Sequence, residues 1–112
     1  MRTYKAVFSD IDGTLLTSEH IVSTATIEAI ASLQKKNIPF VIISSRSASC
    51  IYPILKKHHF QCPIVACGGA WIEDMNGRIL SNEGMSRQTA ATVIEFMTEK
   101  NFDLAWGIYS GK

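Results

Sequence analysis

Residues 38–43 read IPFVII, apolar almost throughout. A run so short and so apolar fits a strand covered on both faces, and such strands belong to the parallel sheets of α/β folds. Its flanks agree. Ahead of it, residues 24–36 place Ile27, Ile30 and Leu33 one turn apart, with Ser23 or Thr24 as cap and Lys35 and Lys36 in the last turn. Asn37 then suits a left-handed exit. Further upstream, residues 4–9 (YKAVFS) form a β-prone run. Downstream, residues 48–58 carry Ile51, Ile54 and Leu55 at helical spacing, and Pro53 is expected to confine that helix or to lie near its first turn. Residues 63–66 follow as a third strand. Two strand–helix–strand units this close imply right-handed crossovers and a parallel sheet.

The pattern changes after Gly68 and Gly69. Residues 71–74 and 78–80 flank Met75-Asn76-Gly77, and Asn-Gly between β-like runs is a strong hairpin signal. Residues 86–100 form an amphipathic helix with Ala90, Val93, Ile94, Phe96 and Met97 on its apolar side, and residues 104–109 are expected to add a strand. A boundary is expected near residues 82–85, between a core unit (1–82) and a following helix–strand unit (83–112).

Composition excludes several classes. Eleven Lys and Arg against ten Asp and Glu give a net charge of +1, which offers no electrostatic footprint for nucleic acid or an acidic membrane. No apolar run approaches the ~18 residues of a membrane span, and the N-terminus does not have the pattern of a signal peptide. Cys50, Cys62 and Cys67 are an odd, widely spaced set without a CxxC. They are expected to be reduced, buried thiols of a cytoplasmic protein rather than a disulfide or zinc framework.

The segment that carries chemistry is Phe8-Ser9-Asp10-Ile11-Asp12-Gly13-Thr14-Leu15-Leu16. Its two carboxylates fall where the first strand ends, and ligands of open α/β sheets bind beyond the carboxyl ends of the strands. Gly13 permits a sharp turn that presents backbone N–H groups to an anion. Clustered carboxylates repel unless a cation or shared proton relieves them, and magnesium does so together with phosphate oxygens. The alternative is an ordinary acidic turn; the apolar strand before it and Gly-Thr-Leu-Leu after it weigh against that reading.

Asp10-Ile11-Asp12-Gly13-Thr14-Leu15-Leu16 resembles the first motif, DxDGT[L/V], of the haloacid dehalogenase superfamily of phosphohydrolases. Val41-Ile42-Ile43-Ser44-Ser45-Arg46 is similar to its second motif, and Val65-Ala66-Cys67-Gly68-Gly69-Ala70 to the hydrophobic-Asn-Gly-Ala stretch of the Cof-like subgroup. The Asn76-Gly77 hairpin and the helix–strand unit after it resemble that subgroup too. The resemblance implies a Rossmann-like three-layer α/β core with a parallel sheet, followed by the start of an α/β cap. It implies a magnesium-dependent phosphatase acting on a small phosphorylated metabolite. Asp10 would be the nucleophile that forms an aspartyl-phosphate and Asp12 the general acid and base. The Asp10 side chain and the Asp12 backbone carbonyl would bind magnesium, and Ser44 would hold the phosphoryl group. Gly13, Thr14, Ser45, Arg46, Gly68 and Gly69 complete the expected phosphate and substrate contacts.

Three departures accompany the resemblance. Ser45 and Gly68 stand where the subgroup usually has Gly and Asn. The later lysine and the GDxxND-like acidic motif of the family do not occur in these 112 residues. The chain is therefore expected to be the N-terminal portion of such a phosphatase, cut off inside the cap, and to associate with another copy through an exposed sheet edge or the incomplete cap. The other class of reading is a catalytically incompetent folded module that is oligomeric or binds a partner. A response-regulator receiver is set aside, because Cys67-Gly68-Gly69 stands where its third-strand Asp would be.

Of the remaining residues, Arg46 is either a phosphate contact or a surface arginine. His20, His58 and His59 read as loop or helix-end side chains, Cys67 as a small buried hydrophobe, and Ser47 and Ser49 as turn and helix-start residues. Trp71 and Trp106 read as core or cap packing.

Overall fold

The chain was analysed as a computed structural model, which describes residues 2–100 and 103–111. The apolar run forms strand β2 (Phe40–Ile43), with Phe40, Val41 and Ile42 buried and Ile43 partly exposed at its end. It lies between β1 (Val7–Ser9) and β3 (Ile64–Ala66), parallel to both, in the register Ser9↔Ile42 and Ile43↔Val65. Helix α1 (Thr24–Lys35) links β1 to β2, and α2 (Ala48–Lys57) links β2 to β3.

Local chemistry sets the helix ends. Ser23 caps α1 by accepting the Thr26 N–H at 3.2 Å, and Asn37 leaves it at φ 55°. Pro53 lies inside α2, later than its first turn. The missing N–H deprives the carbonyl of Ser49, which is exposed to water, so the helix continues through the proline.

The sheet is mixed rather than purely parallel. β4 (Trp71–Glu73) and β5 (Ile79–Asn82) add an antiparallel hairpin, giving the order β1-β2-β3-β4-β5. Gly77 takes the positive φ of 80° that this turn needs, and the Asp74 carboxylate accepts the N–H groups of Asn76 and Arg78 at 2.8 and 2.9 Å.

Because the strands advance in one direction, right-handed crossovers put both linking helices on one face. That face holds the core: Phe40, Ile42, Ile64, Ala66 and Trp71 pack with Ile30 of α1 and Ile51 of α2. The opposite face presents Phe8, Val41, Ile43, Val65 and Ile72, and none of these belongs to the core cluster. Of these, only Val41 is buried.

Helix α3 (Arg87–Glu99) is capped by Ser86, which accepts the Thr89 N–H at 3.1 Å. No residue of α3 is buried, and Val93 and Phe96 are exposed. The strand expected at 104–109 does not form; that segment carries no regular structure, and Leu104, Trp106, Ile108 and Tyr109 are exposed. A strand needs a paired neighbour, and among the described residues this segment pairs with neither open edge of the sheet. Trp106 is consequently not a packing residue, unlike Trp71. The radius of gyration is 17.0 Å, against about 13 Å for a compact domain of this length.

All three cysteines are free, but only Cys62 is buried; Cys67 is half-buried and Cys50 exposed. Cys50 sits on the first turn of α2, on the side away from buried Ile51. Burial pushes the Cys62 thiol up to about 11. Ile42, fully buried at the centre of the sheet, tests the core. Ile42→Ala is expected to lower the free energy of unfolding by about 2–5 kcal/mol in urea denaturation.

Candidate active site

β1, β2 and β3 end side by side, so the residues after them meet. Asp10 follows β1 in extended conformation (φ −71°, ψ 164°), and its Oδ1 accepts the Ile11 N–H at 2.8 Å. Oδ2 accepts no hydrogen bond from any described residue, and the side chain is exposed. Residues 11–16 then form a tight loop closed by the Leu16 N–H on the Ile11 carbonyl at 3.1 Å. Ile11, Leu15 and Leu16 are buried and anchor the loop, while Gly13 takes φ 73°.

Ser44 follows β2 and is 3% exposed. Its hydroxyl accepts the Arg46 N–H at 3.1 Å, which leaves the hydroxyl proton to give to an anion. Backbone bonds tie the loops after β2 and β3 together: Gly68 N–H to the Ser44 carbonyl at 3.0 Å and Cys67 N–H to the Arg46 carbonyl at 2.8 Å. Cys67, Gly68 and Gly69 take φ of 52°, 65° and 106° in succession. Ser45 is not among the residues of positive φ, so serine occupies that turn without strain.

A cleft of about 460 Å³ is lined by Phe8, Ser9, Asp10, Ile43, Ser44, Ser45 and Gly68. The structure therefore brings together Asp10, Ser44, Ser45 and Gly68 of the expected set. Gly68 contributes surface only, since its N–H is already given to Ser44. Asp12, Gly13, Thr14, Arg46 and Gly69 lie outside the lining.

Arg46 takes a position that the two sequence readings did not include. Its guanidinium grips the Asp12 carboxylate with both arms, Nε to Oδ2 at 2.9 Å and Nη2 to Oδ1 at 2.6 Å. The partners are 34 residues apart, so no local pattern announces the pair. The hydrogen bonds from Arg46 hold the Asp12 carboxyl below the usual carboxylate range, and the same pairing raises Arg46.

Magnesium takes hard oxygen ligands, usually one or two carboxylates completed by water and phosphate. The free, exposed Oδ2 of Asp10 fits that chemistry. The Asp12 side chain is taken by Arg46, which leaves its backbone carbonyl as the oxygen suited to a cation. No cluster of three or more His, Cys, Asp or Glu able to hold a metal exists among the described residues.

The histidines serve the fold. His20 and His59 occupy left-handed turn positions, and His58, at the end of α2, accepts the Val22 N–H at 3.3 Å. Ser47 starts α2 without a side-chain cap bond and instead pairs with Ser49 at 3.0 Å.

The sheet thus carries an acidic loop after its first strand and a buried hydroxyl after its second. The model of the haloacid dehalogenase-like hydrolases matches residues 7–111, and the chain belongs to that family. A Haemophilus influenzae protein is 48% identical over 73 residues, 65% of this chain and 28% of that protein. Phosphatase YwpJ of Bacillus subtilis is 26% identical over 98 residues, 88% of this chain and 34% of its own length. A solved haloacid dehalogenase-like hydrolase from B. subtilis superposes with TM-score 0.81 at 27% identity, covering 87% of this chain and 34% of that one. SMU.1108c from Streptococcus mutans gives 0.79 at 29%, covering 88% and 37%. The chain thus spans about a third of the length of these relatives.

The left-handed loop yields a graded prediction. A Cβ at Gly68 would meet nothing within 4 Å, so only its φ of 65° opposes substitution. Gly68→Ala is expected to cost about 1 kcal/mol in thermal or urea unfolding, and Gly68→Asn less, because asparagine tolerates this region.

Proposed function

We propose that the protein is a magnesium-dependent phosphatase that cleaves a small phosphorylated metabolite through an aspartyl-phosphate on Asp10. The observation that carries this reading is the shared cleft of Asp10 and Ser44, with the Asp10 Oδ2 and the Ser44 proton both free toward it. Membership of the haloacid dehalogenase-like hydrolases supports it, as does the likeness to an Escherichia coli pyridoxal phosphate phosphatase, YbhA, at 26% identity over 98 residues. The near-neutral charge agrees with a small substrate rather than nucleic acid. The unpaired thiols favour the cytoplasm as its compartment, and no helix among the described residues is long and apolar enough to cross a membrane. We keep the division into a core unit at 1–82 and a cap unit at 83–112 as part of the same proposal.

In this mechanism a carboxylate oxygen of Asp10 attacks phosphorus, and the bond from phosphorus to the substrate oxygen breaks. Asp12 gives that oxygen its proton, then takes a proton from the water that cleaves the acyl phosphate and frees Asp10. Ser44 donates its hydroxyl proton to a phosphoryl oxygen from a rigid position. A magnesium ion, held by the Asp10 side chain and the Asp12 carbonyl, would offset the negative charge of carboxylate and phosphate. Arg46 must loosen its grip on Asp12 before that carboxyl can carry a proton, and a substrate phosphate is the anion that would draw the guanidinium away.

Hydrolysis of an aryl phosphate with and without magnesium, beside Asp10→Asn, tests the proposal. Magnesium-dependent turnover that disappears in Asp10→Asn is expected; turnover equal in the two proteins would overturn it. Arg46→Ala adds a pH test. An acid that must be protonated loses activity as pH rises through its pKa, and Arg46 lowers that of Asp12. Removing Arg46 should therefore move the alkaline limb of kcat/KM, which reports the free enzyme, to higher pH. An unmoved limb would remove Asp12 from the role of general acid.

One observation favours the second reading, a folded module without turnover that binds another chain. Phe8, on the sheet face away from the core cluster, is 60% exposed and Phe96 of α3 52%, leaving apolar surface that a partner chain would cover. A dimer by light scattering together with turnover equal to that of Asp10→Asn is the outcome that would favour it.

A further inference from the structure

Away from the cleft, α1, α2 and the β4–β5 hairpin enclose a groove of about 880 Å³ that shares no residue with it. Its apolar wall includes Ile27 and Ala31 of α1, Leu55 of α2 and Phe60. Glu73 of β4 also lines it and is only 2% exposed. Alternation along β4 turns Trp71 and Glu73 to the same, helix-covered face, so a carboxyl group lies where an apolar residue would be expected.

The two oxygens of Glu73 differ. Oε1 accepts the Trp71 Nε1–H at 2.7 Å and the Tyr52 hydroxyl. Burial and the neighbouring carboxyl push the Tyr52 phenol up to about 12, so it stays a donor. Oε2 accepts no hydrogen bond and lies 4.0 Å from where a Cβ on Gly77 would be. No buried side-chain polar atom among the described residues lacks a partner, so unpartnered Oε2 retains contact with solvent. The ion pair between Arg46 and Asp12 is the one salt bridge among the described residues. Lys56, His59 and Asp74 also line the groove, but neither basic group pairs with Glu73. A carboxylate enclosed in this way carries a desolvation penalty that a matched cation would relieve.

We propose that this groove binds a small organic amine, with its ammonium group on Glu73 Oε2 and its hydrocarbon body along Ile27, Leu55 and Phe60. The volume lies in the range of small-molecule sites, and a donor of unit positive charge complements the free oxygen. Two fixed donors on Oε1 pre-orient the carboxyl group and reduce the ordering that binding requires.

The test uses three compounds with one hydrocarbon body: phenethylamine, 2-phenylethanol and phenylacetate. Each is titrated while the indole N–H resonance of Trp71 is followed by NMR, because that group donates to the same carboxyl. Trp106 gives the second indole signal and serves as a control. Saturable shifts of Trp71 with phenethylamine, with affinity on the order of millimolar, and weaker shifts with the alcohol and the acid are expected. Glu73→Gln should weaken the amine about tenfold or more and leave the alcohol unchanged. Ala31→Trp, on exposed surface of α1, should block every ligand without touching Glu73; this variant carries the test if Glu73→Gln does not fold. No saturation with the amine, equal binding of the three compounds, or binding of the amine that survives Ala31→Trp would each overturn the proposal.

Discussion

Parallel pairing of three successive strands is the constraint on which the rest depends. It turns β1, β2 and β3 the same way, so that Asp10, Ser44 and Cys67, each the residue after its strand, arrive at one edge. The register makes the arrangement sharp. Ser9 stands opposite Ile42, and Ile43 opposite Val65; a slip of one residue would turn Ile42 and Ile64 out of the core. The burial of a few isoleucines therefore also fixes where a carboxyl and a hydroxyl meet. The backbone bonds between the loops after β2 and β3 then convert neighbourhood into position, and Ser44 is held from both sides.

At this edge the charges are balanced as well as placed. Asp12 and Arg46 neutralise each other, while Asp10 keeps one oxygen unbonded. The arrangement separates two acids that differ by only two positions in the chain. One is taken by a cation of the protein itself, and the other remains available to whatever enters. An exposed ion pair of this kind adds little to stability in water, and its weight lies in the state it imposes on Asp12.

The sequence disclosed what is local. Strand β2 was legible because both its faces need apolar residues, and the cap at Ser23 because a helix start leaves N–H groups for a hydroxyl to satisfy. Asp10 could be placed from the end of its strand, and Ser44 from the resemblance of residues 41–46 to the family's second motif. The pairing of Arg46 with Asp12 could not, since it depends on how two loops approach across 34 residues. The segment 104–109 failed for a related reason: alternating Leu104, Trp106 and Ile108 suit a strand, but alternation does not bring the segment alongside another strand. Glu73 escaped attention because a glutamate beside Asp74 at a hairpin reads as solvated turn chemistry. Only its 2% exposure and the hydrogen bond from Tyr52, 21 residues away on α2, show that it is enclosed.

The strand order of the sheet is the order of the strands in the chain. Each new strand pairs with the one synthesised just before it, so on a ribosome every segment emerges beside a template already made. No strand has to wait for a distant sequence to be translated, and none must be inserted between two others. Assembly by accretion keeps the entropy of loop closure small at every step. It also leaves the outer side of β1, the first strand made, as an open boundary of the described sheet.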